Sequence, residues 1–152
     1  MPIINNSASK FVTETVNVTS TDNTANATLL YTCPTNFTSV VKTFLISAGD
    51  LDNKQISVQL FDSSASAYNT IVTGLRMSSS TVTNLFDGDP LALQSGDQLA
   101  GFAGTSATGN FTLTLSTEEF FDPTRWMMDL ILFLFIVGSV GLMYWIMSRG
   151  DD

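Results

Sequence analysis

The chain has 152 residues, 44% of them hydrophobic and only 13% charged, with six basic side chains against fourteen acidic. A net charge of −8 excludes a nucleic-acid binder that works by neutralising phosphates, which needs a basic face. The absence of histidine and the single cysteine, Cys33, remove the usual general base, any intrachain disulfide and the common zinc ligand sets.

Residues 1–10, MPIINNSASK, have neither a basic n-region nor an apolar h-region and read as an arm rather than a secretory signal. Residues 11–117 read as one β-domain. Its strand-like runs are Phe11 to Thr19, Ala27 to Cys33, Ser39 to Ala48, Gln55 to Phe61, Asn69 to Met77, Thr81 to Phe86, Gln98 to Ala103 and Asn110 to Ser116. Ile56, Val58 and Leu60 alternate with polar residues, as do Phe111, Leu113 and Leu115, which is the period of a half-buried strand. Gly-, Asp-, Asn- and Ser-rich turns separate the runs. About eight short strands with one apolar face predict an all-β sandwich of jelly-roll type. The Thr-rich, weakly charged outer faces point to packing among neighbouring protein copies.

Tyr31-Thr32-Cys33-Pro34, then Val40 to Ser47, and later Pro90-Leu91-Ala92-Leu93-Gln94-Ser95-Gly96-Asp97-Gln98-Leu99 form a pattern. It resembles the small β-sandwich virion proteins of bacteriophages. The resemblance covers about Leu29 to Leu115. It implies a structural role in a virus particle, with other virion or capsid subunits as partners.

Residues 118–125 read as a solvated linker carrying Glu118 and Glu119. Beyond it, Leu130 to Met147 is an uncharged apolar run of eighteen residues, the lower limit for a membrane span. The expectation is therefore a C-terminal transmembrane α-helix over 126–147, followed by a polar tail at 148–152. Asp122-Pro123 supplies an N-cap and an N1 proline. Trp126 and Trp145 are 19 positions apart, about 28 Å along a helix, which suits two interfacial belts. Leu130, Phe133 and Phe135 would face lipid between them. Arg125 and Asp129 are one turn apart and would pair at the interface. Gly138, Ser139 and Gly141 would let a neighbouring helix approach closely, so a homo-oligomer is expected.

Asp50-Leu51-Asp52-Asn53 lacks the later ligands of a calcium loop, and no nucleophile stands with a recognisable base. Neither an enzyme nor a cofactor or metal site is expected, and no direct nucleic-acid binding. The sequence predicts a structural virion protein that tethers a protein shell to a lipid bilayer. Its place would be a virion's internal membrane, reached from the host inner membrane, with the β-domain on the cytoplasmic, capsid-facing side. An anchored host-recognition or adhesion module and a component of a membrane pore or genome-delivery apparatus are the alternatives.

Overall fold

The computed structural model describes residues 10–19, 26–49, 54–104, 111–122, 127–128 and 130–139. Among them are nine strands: β1 Lys10–Asn17, β2 Thr28–Thr32, β3 Phe37–Ala48, β4 Lys54–Asp62, β5 Ala67–Met77, β6 Val82–Asn84, β7 Leu91–Leu93, β8 Gln98–Ala103 and β9 Phe111–Phe121. They form two antiparallel sheets. One runs β1-β9-β3-β6, with β7 also pairing with β3; the other runs β2-β8-β4-β5.

Alternation decides which face is buried. In β9, Phe111, Leu113, Leu115, Thr117 and Glu119 point inward, while Thr112, Thr114, Ser116, Glu118 and Phe120 are only half-buried. In β3 the apolar spacing changes parity, since Val41 and Phe44 are three residues apart yet both are buried. A bulge between Val41 and Thr43 absorbs the extra residue, leaving Lys42 and Thr43 exposed and returning Phe44, Ile46 and Ala48 to the core. Without it, one half of β3 would bury its polar set. The core also takes Leu30, Ile56, Val58, Leu93 and Leu99 from the other strands. Phe44 stacks on Phe86 with centroids 5.8 Å apart.

Two turns set the tip where β7 meets β8. Asp97 N–H donates to the Gln94 carbonyl at 2.9 Å. Gly96 takes the left-handed φ of +87° that this turn demands at its third position. The Asp97 carboxylate then accepts from Gln94 N–H at 2.8 Å and from Ser63 N–H and Oγ–H, both at 2.9 Å. One side chain thus joins the β4–β5 turn to the β7–β8 turn.

Two expectations are corrected. β9 does not end at Ser116 but runs to Phe121, so residues 118–121 are strand rather than linker. The expected transmembrane helix is overturned: among the described residues no helix is long and apolar enough to cross a membrane. Helix is described at 127–128 and 130–139, and the rest of the expected span lies outside the described residues. Residues Asp122–Asp152 make a compact unit separate from Met1–Phe121.

Candidate functional site

Three of the buried polar side chains, Ser39, Thr117 and Glu119, meet Tyr31 and Cys33 between the sheets. Tyr31 is on β2, Cys33 just beyond it, Ser39 on β3, Thr117 and Glu119 on β9, and Lys10 opens β1 opposite Glu119. Ser39, Thr117 and Glu119 occupy inward positions of otherwise apolar strands, so folding carries them inside with their neighbours. Glu119 is only 3% exposed.

The Tyr31 hydroxyl donates to Glu119 Oε1 at 2.7 Å and lies 2.7 Å from Ser39 Oγ. With the tyrosine proton committed to the carboxylate, Ser39 is left to donate to the phenol oxygen. Cys33 Sγ lies 3.1 Å from Ser39 Oγ and donates to the Phe37 carbonyl at 3.3 Å. Lys10 Nζ stands 3.9 Å from Glu119 Oε2, its own side chain mostly in solvent. Burial pushes the Tyr31 hydroxyl well above the usual tyrosine range; the Ser39 bond opposes this, and the Glu119 bond and charge add to it. Burial likewise raises the Cys33 thiol.

This arrangement holds sheets together more readily than it performs chemistry. A nucleophilic cysteine needs its thiolate and an approach from solvent. Cys33 has its pKa pushed up, is 1% exposed and has a serine rather than a base as its neighbour. Among the described residues no three histidine, cysteine or acidic side chains are grouped to hold a metal. What the cluster does is bond β2 of one sheet to β3 and β9 of the other, at the place where β1 covers β9.

The outer face of the β1-β9-β3 sheet has a different character. Three adjacent rows of its outward residues are uncharged: Thr13, Ser116 and Thr43; Thr15, Thr114 and Leu45; Asn17, Thr112 and Ser47; the next row, Phe11, Glu118 and Val40, carries a carboxylate. Thr15 and Thr114 hydroxyls bond across the strands at 3.2 Å, and Thr112 donates to Asn17 at 2.9 Å. An ion pair, Lys42 to Glu118 at 3.3 Å, lies beside the Thr13 row.

The sequence-predicted anchor residues lie in the other unit. Leu130, Phe133 and Phe135 are helical and exposed. Gly138 is helical with open space where a Cβ would stand, and Ser139 returns its hydroxyl to the Ile136 carbonyl at 2.8 Å. Trp126, Trp145, Gly141, Arg125 and Asp129 lie outside the described residues. Sequence reasoning missed the Tyr31–Ser39–Glu119 cluster. The available signal was the β9 alternation, which carried on unbroken from Leu115 through Thr117 to Glu119.

No protein-family model matches the chain, and no curated protein matches it. Among solved structures, it is similar to a chain in the crystal structure of the T13 IBDV viral particle, with a TM-score of 0.45 and 10% identity. The match covers 75% of this chain and 31% of that one, so this chain spans about a third of the other's length. A likeness of that size assigns neither family nor role.

Proposed function

We propose that the protein is a structural, non-enzymatic subunit of a virus particle, working by packing against other subunits. The observation that carries this reading is the block of three uncharged, hydroxyl-rich rows on the outer face of the β1-β9-β3 sheet. Burying such a surface against a neighbour desolvates hydroxyls that can exchange hydrogen bonds, and no ions. The sequence resemblance to small virion sandwich proteins supplies the kind of assembly. Tethering to a membrane rested on the transmembrane helix and is not retained, nor is location in an internal membrane.

The test is composition of density-banded particles from the virus that encodes the chain. The protein should be present at a fixed ratio to the main shell protein and resist salt washing. Thr114→Glu, which puts a charge in the middle of the face and gives up the Thr15 hydroxyl bond, should cost about 0.5–1.5 kcal/mol, leave the domain folded and remove the protein from particles. Absence from particles, or incorporation indifferent to Thr114→Glu, would overturn the reading.

A further inference from the structure

Among the described residues the two sheets end on β1, on the short β6 and β7, on β2 and on β5. β2, β6 and β7 are five, three and three residues long, little for another strand to pair with. β5 is longer, but its register against β4 breaks twice, between Ile56 and Val58 and between Val58 and Gln59. Bulges of that kind twist an edge away from an incoming strand. β1 has no such break. Lys10 to Asn17 keep one continuous register on β9, and their far side meets no strand among the described residues.

What guards that edge is a charge. Glu14 holds an inward position, opposite Leu115, yet is exposed. An inward carboxylate on an edge repels any strand that brings nothing to neutralise it. β1 brings its own cation. Lys10 is four residues away on the same face, and its side chain is 72% exposed although Nζ stands 3.9 Å from Glu119. If two β1 strands run antiparallel about a two-fold axis at Val12, each Lys10 lies directly opposite the other copy's Glu14. Phe11 then faces Thr13, and Val12 faces itself. Moving the axis to Thr13 sets Glu14 against Val12. Moving it to Glu14 sets the two carboxylates against each other, which is destabilising. Copies that each carry a net charge of −8 repel overall, so this local match selects one register.

We propose that β1 is a pairing edge for a second copy of this chain, the two strands antiparallel about Val12 so that the β1-β9-β3 sheet continues from one copy into the other. Each Lys10 then lies in a row between two carboxylates, Glu119 of its own chain and Glu14 of the second copy, and its three N–H donors serve both. Phe11, 71% exposed in the single chain, gains a neighbouring strand. The contact uses the edge of the sheet and not its outer face, so it goes beyond the packing role proposed above.

The test uses the full chain under mild oxidation. Directly opposed residues of an antiparallel pair have Cα atoms about 4.5–5.5 Å apart, inside the range of about 4.4–6.8 Å that a disulfide bridges. Val12→Cys stands opposite itself and should give linked dimers faster than Phe11→Cys or Thr13→Cys, each of which faces a different residue. Native Cys33, 1% exposed, stays out of the reaction. Adding Glu14→Lys to Val12→Cys sets lysine against lysine twice and should slow linkage about tenfold. Fastest linkage at Phe11→Cys or Thr13→Cys, equal rates at all three, or indifference to Glu14→Lys overturns the pairing. The unsubstituted chain gives a second reading that no folding defect can spoil. Backbone amides of residues 10–14 should exchange more slowly as the protein is concentrated into the millimolar range, while those of β5 stay unchanged. Exchange at 10–14 that ignores concentration overturns the pairing equally. Particle composition is read separately, so failure of this edge is distinguishable from failure of the structural role.

Discussion

Replacing Tyr31 by phenylalanine removes one oxygen atom and tests the whole buried cluster. The ring keeps its place among apolar neighbours, but Glu119 loses a 2.7 Å donor and Ser39 loses its 2.7 Å partner. A hydrogen bond to a charged acceptor contributes about 1.5–3 kcal/mol and a neutral one about 0.5–1.5. The loss should therefore be about 2–4 kcal/mol. With an unfolding entropy near 2.1 cal/mol/K per residue over the 112 residues from Lys10 to Phe121, the melting temperature should fall by roughly 8–16 °C. Calorimetry at neutral pH reads it. A second signature lies at alkaline pH. The Tyr31 hydroxyl is raised above its ordinary value of 10.0, so the folded chain holds a proton there that the unfolded chain releases. The stability this gives is complete below pH 10 and declines above it, by up to about 1.4 kcal/mol per pH unit. Tyr31→Phe should flatten that decline. Tyr31→Phe combined with Glu119→Gln should recover part of the neutral-pH loss, since no buried charge is left short of donors. A melting shift under about 2 °C, or an unchanged alkaline slope, would refute the reasoning.

Three further outcomes are expected. Gly101→Ala would place a Cβ 2.6 Å from Leu113 Cδ1 in the filled space between the sheets, so about 1–3 kcal/mol should be lost in denaturant titration; an unchanged midpoint would mean Leu113 has room to turn. Asp97→Ala deletes the acceptor of three hydrogen bonds that join two turns and should cost about 2–4 kcal/mol, with Asp97→Asn recovering part of it. Cys33, buried with its thiol raised by desolvation, should resist thiol reagents in the native protein and react stoichiometrically in denaturant; rapid native labelling would show that the cluster opens to solvent.

The strands were legible because their cause is local. Period-two alternation at Ile56, Val58 and Leu60 or at Phe111, Leu113 and Leu115 follows from one buried face, and the bulge in β3 left its mark in the three-residue step from Val41 to Phe44. β7 is three residues long and follows Pro90, too short to display a period. The end of β9 is harder to read, because adjacent Glu118 and Glu119 look like a solvated pair although the alternation runs on through Thr117 to Glu119. Glu119 is buried because a tyrosine 88 positions away donates to it, and sequence spacing carries no trace of that pairing. The C-terminal expectation extends an apolar composition over 126–147 into one helix, whereas among the described residues helix covers 127–128 and 130–139 and none is long and apolar enough to span.

The buried carboxylate also settles how β9 can lie between its neighbours. β1 and β3 both pair with β9, so its register determines theirs. Thr112, Thr114 and Ser116 differ little from one another, and a slide of two residues would keep the apolar face inward while moving every partner. Such a slide carries Glu119 away from the Tyr31 hydroxyl and from Lys10, leaving a desolvated charge whose uncompensated burial costs about 3–5 kcal/mol. Paired in its native place, the same group adds little net stability over an apolar side chain of similar volume. Its effect is therefore on choice among registers. The strand that presents a repetitive hydroxyl face outward is held at one position by the single charge it turns inward, and the lysine completing that site belongs to β1, the strand paired along its edge.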